Sequence, residues 1–261
     1  MSISVIILMI LIGIFTGIIT GLTGASGVMV VVPLVNMLLN FPIHESIGTS
    51  LIVDTIAPLS ISYTYYKYGN IDIKSGIWIA IGSILGAQLG ATLAAGMPEV
   101  GLGGTFGVFI VIMGVIIWKR GLKQEFIANK MKKLIKFNTW NQRILTAMIL
   151  GFGVGLITGI LGAGGGVMVL LILIFVLNYP IHVAVGTSAL IMAITACSGS
   201  LGYALHGNIR VFAGFIIGFS AAGSGVTCAR FANKVNEQIL AKTIAFIFII
   251  LGLIMNILYM V

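Results

Sequence analysis

Charge is what this chain most lacks. Of its 261 residues only 8% are charged and 59% are hydrophobic, with a mean hydropathy of +1.18. A water-soluble domain carries about a quarter charged residues, so this chain cannot cover its own core with a hydrated surface. Cysteine is scarce as well. Cys197 and Cys228 are the only two, and both lie in apolar runs. A disulfide framework is excluded, and both read as small buried residues without a redox or metal role. The phosphate-binding pattern G-x-x-x-x-G-K-[ST] is missing, so no ATP hydrolysis is expected. Neither a cofactor nor a metal site is expected. The alternating ten-residue stretches of a membrane barrel are missing too.

Long apolar runs and 35 glycines are what the chain does have. In lipid a backbone must satisfy its own hydrogen bonds, which selects helices, and glycine lets such helices approach closely. The fold class expected is therefore an all-α polytopic membrane protein, and the lipid bilayer is its first partner. The net charge of +8 does not indicate a nucleic-acid partner. Eight of the fourteen basic residues crowd into one linker: Lys119, Arg120, Lys123, Lys130, Lys132, Lys133, Lys136 and Arg143. Such a cluster marks the cytoplasmic side of a membrane. The first apolar stretch lacks a basic leader and recurs later as residues 144–161, so it reads as part of the fold and not as a signal peptide.

The recurrence is general. Asn40 to Ser50 reads NFPIHESIGTS and Asn178 to Ser188 reads NYPIHVAVGTS, identical at seven of eleven positions with an offset of 138. The same offset pairs Gly13 with Gly151, Gly17 with Gly155, Gly21 with Gly159, Gly24 with Gly162, Tyr65 with Tyr203, Gly69-Asn70 with Gly207-Asn208, and Gly76 with Gly214. The chain thus divides into a first repeat, 1–118, a basic linker, 119–143, and a second repeat, 144–261. Each repeat holds five apolar segments: 3–20, 28–40, 46–66, 74–96 and 101–118, then 144–161, 167–178, 184–205, 211–232 and 239–260. The second segment of each is short, since a span needs about 20 residues. Charge arbitrates whether it crosses. If it does, each repeat has an odd number of spans, the repeats are inverted, and 13 of the 14 basic residues face the cytoplasm. If it does not, 11 face the cytoplasm and three do not. The positive-inside rule favours inversion. A cell-membrane location follows, with about ten spans, a cytoplasmic linker and both termini extracytoplasmic.

Transporters with inverted repeats bind substrate near the midplane, where helices are broken. The candidate breaks are the turns at Gly24, Ala25, Ser26 and Gly27 and at Gly162, Gly164, Gly165 and Gly166. Their backbone N–H groups, with the positive end of the following helix, can hold an anion. Tight helix crossing is the alternative use of such glycines. Thr49 and Ser50 open the third segment of one repeat, and Thr187 and Ser188 that of the other. Their hydroxyls can donate to an oxyanion in a shared cavity, or cap and back-bond their own helices. Asp54 is one turn beyond Ser50, and its counterpart is Met192. A carboxylate in an apolar helix is a functional candidate by default, and here it is the candidate for proton coupling. His44, His182, Gln88 and Arg230 are gate candidates, each with a plainer reading as a helix-start bond, a packing residue or an interfacial charge.

The Gly-rich turn after the first helix, the Pro-containing connection, the Gly-Thr-Ser triplet and the Gly-Asn turn recur in this order in both repeats. In this the chain resembles the TauE/SafE family of membrane transporters. Two features depart from a strict duplicate: Pro33 occurs in the first repeat only, and Ser26 stands where the second repeat has a glycine. The resemblance implies a secondary transporter for sulfite, an organosulfonate or a related small anion. The residues alone leave two alternatives open. One is a channel or permease for another solute or a metal cation. The other is an intramembrane enzyme, which would need Asp54 to meet His44 or His182. The oligomeric state is left open.

Overall fold

The structure, a computed structural model, describes residues 3–23, 26–120, 140–162, 165–175, 179, 181–229 and 237–260. Ten helices fill them. In the first repeat they are α1 (Ile3–Thr23), α2 (Val28–Leu39), α3 (Ile43–Lys67), α4 (Ile73–Ala95) and α5 (Glu99–Arg120). In the second they are α6 (Trp140–Leu161), α7 (Gly165–Phe175), α8 (Ile181–Leu205), α9 (Val211–Ala229) and α10 (Glu237–Met260). There is no strand among the described residues. Six of the helices carry stretches long and apolar enough to cross a membrane: α1, α4, α5, α6, α8 and α9. Large apolar side chains stand on the outside, such as Leu11, Phe15 and Ile18 on α1 and Phe212, Phe215 and Phe219 on α9. In water this surface would be untenable; against lipid it is the ordinary exterior.

Polar residues concentrate in α3, which carries His44, Glu45, Ser46, Thr49, Ser50 and Asp54. It is absent from the six, yet thirteen of its residues are buried. Its first half is enclosed by other helices, so polarity is tolerated there where internal partners exist, while Leu59, Tyr63 and Tyr66 further along are exposed. Cys197 corrects an expectation: it is exposed on α8, and Cys228 is half-buried. A thiol behaves as a small hydrophobe, so a lipid-facing position costs it little.

Glycine sets the helix pairing. Gly13, Gly17 and Gly21 of α1 lie against Ile217, Ala221 and Gly225 of α9, in step, so these helices run parallel. Gly82, Gly86 and Gly90 of α4 meet Met148, Phe152 and Leu156 of α6 in the same sense. Each repeat thus lends its first helix to the fourth helix of the other. Helices α3 and α9 are also parallel, with Ile52 at Gly214 and Ile56 at Gly218. The two third helices oppose each other: Gly48 meets Tyr203, Leu51 meets Gly199, and Tyr65 meets Gly186. The two fifth helices do likewise, with Gly103 at Tyr259 and Gly114 at Ile249. Since α1 and α3 both follow α9, the chain between them must return along the bundle, and α2 makes that return. Its 12 residues cover about 18 Å, roughly half a bilayer's thickness.

The Gly-Asn turns are built alike. Gly69 and Gly207 have φ of +70° and +73°, a conformation that favours glycine. Asn70 N–H donates to Tyr65 O and Asn208 N–H to Tyr203 O, closing α3 and α8.

Candidate functional site

The start of α2 lies deep in the bundle. Gly27 N–H donates to Asp54 Oδ1 at 3.0 Å, and Asp54 is near the middle of α3. Ser26 Oγ donates to Asp54 Oδ2 and accepts from Val28 N–H at 3.3 Å. Ser26 and Asp54 are both buried. The first N–H groups of any helix have no partner within it, and here the carboxylate and the hydroxyl supply them. The negative group also meets the positive end of the helix dipole. Asp54 is therefore held at one helix start by three linked bonds.

The second Gly-rich turn converges on the same region. A Cβ on Gly162 would lie 3.3 Å from Val28 Cγ1 and 3.5 Å from Ser50 Oγ. Ser50, Gly162 and the start of α2 are thus neighbours. Ser50 Oγ itself donates back to Ile47 O at 2.7 Å, and Ser188 Oγ to Val185 O at 3.0 Å.

Thr49 and Thr187 do not converge. Thr49 Oγ1 accepts from Arg210 N–H at 3.0 Å, and Thr187 Oγ1 accepts from Asp72 N–H at 3.0 Å. Each threonine ties its helix to the Gly-Asn turn of the opposite repeat, at opposite ends of the α3–α8 pair. Sequence reasoning read these positions as a duplicated pair but missed their partners, Asp72 and Arg210, which are themselves 138 apart. Glu45 was missed too; its Oε2 accepts from Arg210 Nε at 2.6 Å.

His44 is buried, with Nε2 at 3.0 Å from Ala94 O and Nδ1 at 3.9 Å from Glu99. It is ten residues before Asp54 on one helix, about 15 Å along the axis, so these two side chains do not meet. Gln88 Nε2 donates to Ser198 O at 2.7 Å and to Ser198 Oγ at 3.1 Å, joining α4 to α8. Gly24, Ala25, Gly164, Arg230 and the side chain of His182 lie outside the described residues, as does the linker over 121–139. Among the described residues no three His, Cys, Asp or Glu side chains gather to hold a metal ion.

Two cavities open at opposite ends of α3. One, about 750 Å³, is lined by Leu59, Ser62, Tyr63, Tyr66 and Lys67 with Leu190 across from them. The other, about 550 Å³, is lined by Asn36, Asn40, Phe41, Glu99 and Tyr259.

Comparison with known proteins finds membrane transporters among those similar to this chain. The chain is 31% identical to "Probable membrane transporter protein YdhB" of Bacillus subtilis (strain 168) over 206 residues, 77% of this chain and 80% of that protein. It is 23% identical to "Probable membrane transporter protein YunE" of the same organism, covering 94% of this chain and 95% of that one. It is 27% identical to "Probable membrane transporter protein MJ0441" of Methanocaldococcus jannaschii over 75% of this chain and 71% of that one. No solved structure matches it. Both the family and the relatives are transporters in name, not enzymes. The family model described as sulfite exporter TauE/SafE matches residues 9–255, and the chain accordingly belongs to the TauE/SafE family of multi-pass membrane transporters.

Proposed function

We propose that this transporter is a secondary carrier of a small anion, sulfite or an organosulfonate, which works by alternating access and couples transport to a proton at Asp54. The observation that carries the reading is the start of α2, buried at the middle of α3 with a carboxylate on its first N–H groups. Broken helices of this kind are where carriers hold charged solutes. Ser26, Gly27, Gly162 and Ser50 supply backbone and hydroxyl groups there, and Gly165, Gly166 and Ser188 supply those of the second repeat. Two cavities at opposite ends of α3 support access from either side. The experiment is flux of labelled sulfite into proteoliposomes with and without an imposed pH gradient. Uptake at least tenfold above empty liposomes, enhanced by the gradient, is expected. Flux equal to empty liposomes ends the proposal, and flux indifferent to the gradient ends its proton-coupled part.

Alternating access in turn rests on about ten membrane segments in two inverted five-segment repeats. The opposed pairing of α3 with α8 and of α5 with α10 supports this, as does the return run of α2. The topology then has the basic linker in the cytoplasm and both termini outside. It is tested at Tyr68 and His206, equivalent residues 138 apart and both exposed. With Cys197 and Cys228 replaced by serine, Tyr68→Cys is expected to react with an impermeant maleimide from the cytoplasmic side only, and His206→Cys from the outside only. Labelling of both from one side would mean parallel repeats.

A further inference from the structure

The two half-helices begin in matching surroundings, with one difference. A Cβ on Gly27 would lie 3.2 Å from Thr20 Oγ1 and 3.3 Å from Asp54 Oδ1. A Cβ on Gly165 would lie 3.2 Å from Thr158 Oγ1 and 3.9 Å from Met192 Cγ. Gly27 and Gly165, Thr20 and Thr158, and Asp54 and Met192 are each 138 apart in sequence. These are one structural position seen twice.

At the first position the helix start and its carboxylate are paired, although Thr16 Oγ1 nearby is buried without a partner. Asp54 takes the Gly27 N–H and the Ser26 hydroxyl, and Thr20 Oγ1 donates to Thr16 O at 2.9 Å. At the second, Met192 brings no charge. Thr158, only 2% exposed, has its hydroxyl buried with no partner and directed at Gly165. A buried hydroxyl without a partner calls for a ligand. So does the start of an 11-residue helix, whose first N–H groups and dipole attract negative charge.

We infer that Asp54 is a built-in anion filling the first half-helix start, and that the transported anion binds the second one, at the start of α7, through Thr158 Oγ and the backbone of Gly165 and Gly166. The ligand class is a compact oxyanion: sulfite, a sulfonate or a carboxylate headgroup. This rests on the anion-carrier reading above, but narrows two candidate turns to one and gives Met192 a role: an uncharged side chain at the place where a carboxylate would compete with substrate.

The test is Met192→Asp, which places in the second repeat the carboxylate that the first already has. In proteoliposomes, labelled sulfite uptake by Met192→Asp is expected to fall at least tenfold below that of Met192→Asn, which has the same shape without the charge. Thr158→Val is expected to raise the sulfite concentration for half-maximal uptake about tenfold. Where the wild type carries sulfite above empty liposomes, equal uptake by the Asp and Asn variants, or an unaltered half-maximal concentration in Thr158→Val, overturns the assignment. A second readout separates it from the substrate question. Sulfite, ethanesulfonate and acetate are each tested for raising the unfolding temperature of the detergent-solubilised wild type and of Met192→Asp. An anion that protects the wild type but not Met192→Asp upholds the site, even if sulfite itself is not carried. No protection of the wild type by any of the three overturns both readings, and equal protection of both proteins overturns the site alone.

Discussion

Asp54→Ala is expected to lower the stability of the detergent-solubilised protein by about 3 kcal/mol and to cut anion flux at least tenfold. The substitution removes the acceptor for Gly27 N–H and for Ser26 Oγ–H together. Each buried donor left unpaired costs about 1–3 kcal/mol, and Ser26 and Asp54 are both buried. The start of α2 also loses the negative charge that faced its dipole. Asp54→Asn separates these contributions. Its amide oxygen still accepts from Gly27, but its NH₂ cannot accept from Ser26, whose hydroxyl must turn and accept instead. The asparagine variant should therefore recover most of the stability. If Asp54 carries the coupled proton, it should also transport without responding to a pH gradient. Thermal unfolding and flux measured on both variants decide the matter. Wild-type melting of Asp54→Ala would show that the cap is dispensable.

Gly155→Ala should be worse than any polar substitution on the same helix. A Cβ there would stand 2.1 Å from the Ser83 carbonyl oxygen and 2.6 Å from its Cα. Backbone cannot rotate away as a side chain can, so α6 would have to move about 1 Å from α4 to restore ordinary contact. Overpacking costs about 1–3 kcal/mol and occasionally more, and this contact runs along a whole helix pair. The shift would also strain the 2.6 Å bond between Ser83 and Thr195 that joins α4 to α8. Gly153→Ala, two residues away, is the control. A Cβ there meets nothing within 4 Å, and alanine favours the helix by about 1 kcal/mol over glycine. The yield of monodisperse protein in size-exclusion chromatography should collapse for Gly155→Ala and hold for Gly153→Ala. Equal yields would refute the close-crossing account.

Much of this architecture was legible in the residues, because lipid imposes simple demands on a chain. Apolar runs must be helices, and the ten segments read from hydropathy match the ten helices to within a few residues. The offset of 138 is itself a property of the sequence. What the sequence could not carry was depth. Nothing in Val28 to Leu39 says that its first turn sits beside the middle of α3, since that depends on how far the preceding residues fold back. For the same reason Asp54 was paired by helical spacing with Ser50, while its actual partners, Ser26 and Gly27, come from another element. Local periodicity reports which face a residue occupies, not what is opposite. Thr49 and Thr187 illustrate the point again. Their acceptor role at the turns of the opposite repeat is set by the antiparallel α3–α8 pairing, a contact between residues more than a hundred positions apart.

The exchange of first helices between repeats has a bearing on how the chain is made. Helix α1 emerges from the ribosome about two hundred residues before α9, the helix its glycines fit. Helix α4 waits less, for α6. Until synthesis is almost complete, the glycine face of α1 has only lipid or a chaperone against it. The first repeat is thus no independent folding unit, although it is a clear unit of sequence. Assembly has to end with α9 and α10 closing the bundle, and a ribosome that stops early leaves an inserted but open protein, a ready target for membrane quality control.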